Sequence, residues 1–269
     1  MKVTLRPKSK FTLPIDASCI TPHEFAGKDL DEIAELKVFM GSAMSRLGDL
    51  FEIEGEFSES QEDVEIDLGG DTSMVRRVGE KMSDGLIKSL GGIGVRAGAF
   101  MSGGKVVFDE DAGPWAGQQM SGGELQINGN AGNYLGSTYR GDWIGMKGGK
   151  IMVKGNVGNE VGEWMNGGFI EIGGSAGLHL GAHMKGGVIV VHGDVEDRVG
   201  SQMVGGKIVV MGEVKSLLPG FKFEEEIKDI ELDDGKFEGE FLRFSGDMAE
   251  NGEGNLYVSK EKNEHLLST

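Results

Sequence analysis

Cysteine is nearly absent: Cys19 stands alone in 269 residues. A lone thiol excludes an intramolecular disulfide framework and fits a reducing cytoplasm. Long hydrophobic runs are missing as well. No apolar stretch approaches the ~18 residues of a spanning helix, and Met1-Lys2-Val3-Thr4 does not open a signal peptide. The expectation is a soluble cytoplasmic protein without membrane insertion. Basic residues are few, 27 Lys and Arg against 44 Asp and Glu, for a formal charge of −17. Nucleic acids and anionic membranes call for a basic surface, so neither is an expected partner. Familiar catalytic signatures are lacking too: no Gly-x-Ser-x-Gly elbow, no Cys-x-x-Cys pair, no phosphate loop ending in Gly-Lys-Ser/Thr.

Glycine, by contrast, is plentiful at 47 residues, and its placement is periodic. Met82, Met101 and Met120 stand 19 apart; Met146, Met165, Met184 and Met203 keep the same step, and only the Met120–Met146 interval is longer, at 26. From Met101 onward each methionine is followed by a glycine pair, Gly103-Gly104 in the first unit and Gly205-Gly206 in the last. Apolar residues spaced by two come next: Val106 and Phe108, Leu125 and Ile127, Ile151 and Val153, Ile170 and Ile172, Ile189 and Val191, Ile208 and Val210. That spacing is the strand signature. A small or β-branched residue and an apolar–Gly pair close each unit. The Met82 copy is weaker, and Val64, Ile66, Leu68 and Gly70 form a further degenerate one.

A strand of four or five residues cannot bury a face alone, but identical neighbours stacked above and below it can. The expected fold is all-β, a right-handed parallel β-helix (a solenoid) of about seven coils on a 19-residue repeat, rising ~4.8 Å per coil. Glycines would turn the corners, and the methionines would form an inward ladder. The expected organisation is a small α+β N-terminal cap over 1–60, the β-helix over 61–216, and an acidic C-terminal cap and tail over 217–269. Thr21-Pro22 reads as a helix start, Leu30 to Leu36 as a short amphipathic helix, and Gly48 to Gly55 as a strand. The acidic segment Phe223 to Asp234 would cover the last coil or lie against it, and the polar last dozen residues are expected to be mobile.

His179 and His183, four apart with His192 nearby, read either as metal ligands or as corner and outer-face residues of successive coils. No cysteine or carboxylate recurs beside them, so no catalytic, cofactor or metal residue is assigned to this chain. The long interval comes from an insertion, Ser137 to Trp143, that carries Tyr139, Arg140 and Trp143. Those residue types dominate interface hot spots, although a plain solvent-exposed bulge accounts for them equally. Along the outer face, Lys105, Glu124, Gln126 and Lys150 in early copies give way to Phe169, Val188, Val190, Val209 and Met211 in later ones. Stacked, these five form an apolar strip that would bind another subunit or the acidic C-terminal segment.

The unit Gly-x-x-Met-x-Gly-Gly-x-Ile/Val-x-Val-x-Gly resembles a β-helix shared by two families, over about residues 60–215. They are the C-terminal domain of glutamate synthase large subunits and the C-type subunit of formylmethanofuran dehydrogenase. A glutamate synthase carries a glutaminase domain with an N-terminal nucleophilic cysteine, which this chain lacks. The flanks resemble the dehydrogenase family: Leu47-Gly48-Asp49-Leu50-Phe51-Glu52-Ile53, Arg140-Gly141-Asp142-Trp143, Phe244-Ser245-Gly246-Asp247 and Gly252-Glu253-Gly254-Asn255-Leu256-Tyr257. The resemblance implies a non-catalytic scaffold in a tungsten- or molybdenum-type oxidoreductase complex. That complex reduces CO2 and attaches it as formyl to methanofuran, the first step of methanogenesis. Implied partners are an amidohydrolase-like subunit with a dinuclear metal centre, a pterin-metal dehydrogenase subunit holding molybdopterin with W or Mo, a small D-type subunit, and ferredoxin-like subunits with iron–sulfur clusters. No cofactor is implied in this chain. One alternative is the equivalent subunit of a formyltransferase/hydrolase complex in C1 metabolism. Another is an autonomous β-helix carbohydrate-active protein, whose outer face would carry clusters of Asp, Lys and Arg.

Overall fold

The computed structural model describes residues 2–56, 59–233 and 235–268. Apolar residues two apart turn one face of each short strand inward, and like neighbours let those faces stack. Strands Glu65–Leu68, Leu86–Ser89, Ser102–Phe108, Ser121–Ile127, Gly148–Val153, Asn166–Ile172, Gly186–Val191 and Lys207–Val210 succeed one another as parallel neighbours in a single sheet. Their partners are equivalent residues of successive units: Val106 beside Leu125, Leu125 beside Ile151, then Ile170, Ile189 and Ile208 in turn. A second line of pairing runs through Ile93, Ala112, Ala131 and Val157, and through Ala176, Val195 and Val214. The architecture is mostly β, repetitive and solenoid-like.

Met82, Met101, Met120, Met146, Met165, Met184 and Met203 are all fully buried. The thioethers of Met82, Met146, Met165 and Met184 end over glycines of the next unit. A Cβ on Gly187 (φ 88°) would sit 2.7 Å from Met165 Cε and 2.8 Å from the Gly168 oxygen, so that corner admits only glycine. Other corners are held by non-glycine residues in the left-handed region, in two rows. Arg77, Arg96, Trp115, Tyr134, Glu160, His179 and Arg198 make one row; Lys81, Phe100, Gln119, Trp164, His183 and Gln202 make the other. Left-handed backbone is unfavourable for such residues. Hydrogen bonds across the stack offset it: the N–H of Trp115 donates to Asn133 O at 2.9 Å, that of Tyr134 to Asn159 O at 2.8 Å, and that of Glu160 to Leu178 O at 2.8 Å.

Both ends are closed by segments outside the repeat. Lys2–Pro7 pairs parallel with Glu65–Leu68, setting Val3 beside Ile66 and Leu5 beside Leu68, and antiparallel with Phe51–Gly55. The first strand of the N-terminal segment thus continues the long sheet, and Phe51–Gly55 forms its edge. Helix Pro22–Phe25 starts after Thr21 with proline in its first turn, and Leu30–Ala34 opens on a capping box between Asp29 and Glu32. The stretch expected as one strand from Gly48 divides in two. Asp49 Oδ2 accepts the Arg46 N–H at 3.0 Å, which makes Leu47–Leu50 a helical turn, and the strand begins at Phe51.

At the far end, Gly254–Ser259 pairs parallel with Lys207–Val210 and brings Leu256 beside Ile208. Lys222–Leu232 and Gly235–Gly246 form an antiparallel hairpin that extends the sheet beyond this strand, with Lys222–Leu232 as its edge. The tail expected to be mobile is instead ordered, as helix Lys260–Asn263 and a 3-10 segment Glu264–Ser268. Asn263 is fully buried; its Oδ1 accepts the Val214 N–H at 2.7 Å and its Nδ2 donates to Gly212 O at 2.9 Å. Leu266 is buried as well. Two docked side chains suffice to fix a polar segment whose composition alone resembles a free tail. Met1, Phe57 and Ser58 of the expected N-terminal cap, Asp234 of the acidic segment and Thr269 of the tail lie outside the described residues.

Candidate functional site

The apolar outer strip is occupied from within the chain. Ile230, Leu232 and Phe241 of the hairpin, with Tyr257, pack on Phe169, Val190 and Val209, and Val188 and Met211 flank the cluster. A bend turns the hairpin over the sheet: its register shifts between Lys228 and Ile230, Asp229 has φ 55°, and Asp229 Oδ1 accepts the Gly239 N–H at 2.9 Å. Val190 and Val209 are fully buried and Phe169 nearly so. Of the two occupants that the sequence leaves open, the acidic C-terminal segment fills the strip. Val190 and Val209 keep no surface for a second subunit.

The insertion behaves differently. Ser137 and Thr138 are buried at its root, with Ser137 Oγ donating to Tyr134 O at 2.8 Å, and the Met146 N–H closes it onto Gly136 O at 2.9 Å. Its tip stands out. Tyr139 is 47% exposed and Trp143 62%, and Arg140 is exposed. Asp142 braces the loop by accepting Gln119 Nε2 at 2.6 Å and the Trp143 N–H at 2.8 Å; those bonds, the Gln119 one foremost, hold its carboxyl below the ordinary range.

Rings from the corner rows converge on this loop. Trp115 stacks on Tyr134 at 4.4 Å and meets Tyr139 at 5.8 Å; Trp143 stands edge-on to Trp164 at 5.2 Å, and Trp164 lies flat on His183 at 4.2 Å. Arg96 covers the Tyr139 ring at 5.3 Å and Lys185 covers Trp164 at 4.9 Å. Between the rings lies a hollow of about 160 Å³ whose wall includes Glu160 and Glu163. Tyr134 Oη lies 3.4 Å from Glu160 Oε1. Burial lifts the Glu163 carboxyl above its ordinary pKa, and the like charge of Glu160 adds to the effect. Tyr139, Arg140 and Trp143 are therefore brought to one place, as an insertion suggests. Trp115, Tyr134, Glu160, Glu163 and Trp164 escaped notice. A signal for three of them existed, since Trp115, Tyr134 and Glu160 each immediately precede a unit's apolar–Gly pair.

Of the three histidines, two share a hollow and His192 stands apart. His179 and His183 line a neighbouring hollow of about 380 Å³ that shares Glu160 and Glu163; His179 Nδ1 is 3.3 Å from Ser201 Oγ, and burial lowers the His183 pKa. His192 sits on the outer face, 3.0 Å from Glu171 Oε1. Among the described residues no group of three His, Cys, Asp or Glu side chains is arranged to hold a metal ion. A wider hollow of about 550 Å³ runs along Asn156, Asn159, Ser175 and Asp194. Those side chains each accept a backbone N–H of the next unit, at 2.8 to 3.1 Å, and so serve the stack. What the insertion face offers is contact chemistry: π faces, rim cations and two carboxylates.

No family model matches the chain. It is 57% identical over 268 residues to the C-type subunit of the molybdenum-containing formylmethanofuran dehydrogenase 1 of Methanothermobacter marburgensis, a match that covers 99% of this chain and 64% of that protein. It is 43% identical over 98 residues to the C-type subunit of the tungsten-containing formylmethanofuran dehydrogenase 2 of Methanothermobacter wolfeii, 36% of each chain. The match thus spans less than two thirds of the length of these relatives. Among solved structures, a chain in the crystal structure of the formyltransferase/hydrolase complex from Methylorubrum extorquens, in complex with methylofuran, superposes with a TM-score of 0.84 at 30% identity. That superposition covers 95% of this chain and 99% of the other. Agreement along nearly the whole chain, in sequence and in superposed structure, means that the chain belongs to the family of C-type formylmethanofuran dehydrogenase subunits.

Proposed function

We propose that this chain is a non-catalytic scaffold subunit of a cytoplasmic formylmethanofuran dehydrogenase complex, which reduces CO2 and attaches it as formyl to methanofuran. The observation that carries the proposal is the likeness, along 99% of this chain, to a C-type subunit of that enzyme. The insertion face supports it, because exposed rings on a hydrogen-bonded stack suit docking. On this reading the stack is a right-handed parallel β-helix of about seven coils on a 19-residue unit. Residues 61–216 form the rod, with caps over 1–60 and 217–269. Tyr139, Arg140 and Trp143 touch a neighbour. Molybdopterin with W or Mo, iron–sulfur clusters and a dinuclear metal centre belong to the pterin-metal, ferredoxin-like and amidohydrolase-like subunits, beside a small D-type subunit.

A second reading, the equivalent subunit of a formyltransferase/hydrolase complex, is favoured by the superposition that covers 99% of a chain from such an assembly. Anoxic native purification through a tag on this chain separates the two. Co-purification of pterin-metal and iron–sulfur subunits together with an amidohydrolase-like one is the expected result. An amidohydrolase-like subunit without any pterin-metal subunit selects the second reading, and recovery of the chain alone overturns both.

A further inference from the structure

We infer that the hollow beside the insertion is a receptor for one cationic side chain, an arginine supplied by a partner polypeptide. Its lining includes the rings of Trp115, Tyr134, Trp143 and Trp164, the carboxylates of Glu160 and Glu163, and the chain's own exposed Arg140. Rings around a cavity attract a cation through their negative faces, and carboxylates reinforce the attraction. The chain's own cations already use such rings: Arg96 lies over Tyr139 and Lys185 over Trp164, at 5.3 and 4.9 Å.

Among the described residues, the charge that acts on the half-buried Glu163 is Glu160, of like sign. The adjoining hollow places His179, His183 and Arg198 on the far side of the same pair. Two half-buried acids held together are costly unless a cation joins them. The hollow, of about 160 Å³, has room for a single side chain. A planar guanidinium stacks on indole and offers several N–H donors to two carboxylates, which an ammonium does not match.

The rim identifies the source as a polypeptide. Tyr139 and Trp143, which line it, are 47% and 62% exposed, and a free small cation would leave that apolar surface wet. A partner chain that inserts an arginine covers it. The assignment of the source rests on the scaffold reading, whereas the cation chemistry stands on the hollow itself.

All three tryptophans of the chain line this hollow, so intrinsic fluorescence reports on it directly. The full chain is titrated with Nα-acetyl-arginine methylamide and with its uncharged citrulline analogue. A saturable response is expected for the arginine compound, about tenfold weaker for the citrulline compound and for E163Q. Absence of saturation, or equal responses to the two compounds, overturns the inference. In the native complex, W143A and E163Q are expected to reduce recovery of partner subunits severalfold. If the unsubstituted chain brings its partners and both variants bring as much, the arginine receptor is wrong while the scaffold reading survives. If the unsubstituted chain travels alone, the scaffold reading fails and the fluorescence titration still judges the hollow.

Discussion

Asn156 bonds in both directions along the stack. Its N–H donates to Asn130 Oδ1 at 2.9 Å, and its own Oδ1 accepts the Ser175 N–H at 2.8 Å. Asp111, Ser175 and Asp194 continue the same line to Glu213. Each side chain satisfies a backbone donor that no strand partner reaches, much as a helix N-cap does. Asn156→Ala is expected to cost about 1 kcal/mol in a denaturation midpoint, and Asn156→Asp, which keeps the acceptor, distinctly less. Glu163 carries the opposite sign of effect. Its carboxyl holds its proton more tightly in the folded chain than the ordinary value of 4.5, because of burial and Glu160. The folded state therefore binds more protons than the unfolded one, and the group's contribution to stability falls as pH rises above 4.5 towards and through the raised pKa. Glu163→Gln should melt above the parent at pH 7, with the gap closing at pH 4 and below; an equal gap at both values would refute the assignment. Of this site, Tyr139, Arg140 and Trp143 were legible because an insertion breaks the period. Glu163 and Trp164 were not, since their nearness to the loop depends on which unit stacks beside it.

Among the elements, the C-terminal hairpin is the one whose docking side the sequence obscures. Its first strand, Lys222–Leu232, alternates acidic residues with Ile227, Ile230 and Leu232, and the acid content masks the apolar side. The partner surface was readable, since Phe169, Val188, Val190, Val209 and Met211 fall at outward positions of units that otherwise point polar groups outward. A repeat exposes such an anomaly because each position can be compared with its equivalents. A single-copy hairpin has no equivalents, so its bend at Asp229 and Gly239 could not be read by comparison between units. The same logic explains why the strand at Gly254–Ser259 and the helix after it eluded the periodic signal. Val209→Glu would place a charge in the apolar cluster beneath Phe241 and Tyr257. A loss of about 3 kcal/mol or more is expected, together with faster proteolysis within Lys222–Gly246. An unchanged melting temperature and protease pattern would mean that the hairpin is not seated on the strip.

For the molecule as a whole, stacking makes stability a sum of neighbour terms, and the ends decide whether the sum is realised. Met82 to Met203 and the Val106-to-Ile208 ladder repeat the same contact, so loss at one point is felt mainly by adjacent units. Asn263 closes the C-terminal end, where the Val214 N–H and the Gly212 carbonyl have no further unit to pair with. Asn263→Ala removes the partner of one buried donor and one buried acceptor, at a cost of about 2 to 4 kcal/mol for the pair. Nearest-neighbour coupling dictates where that cost appears. Hydrogen exchange should quicken at Val214 and along Gly254–Ser259, while amides of Leu86–Ser89, many units away, keep their protection. Uniform loss of protection would instead make the stack a single cooperative block, in which the caps act on every coil at once.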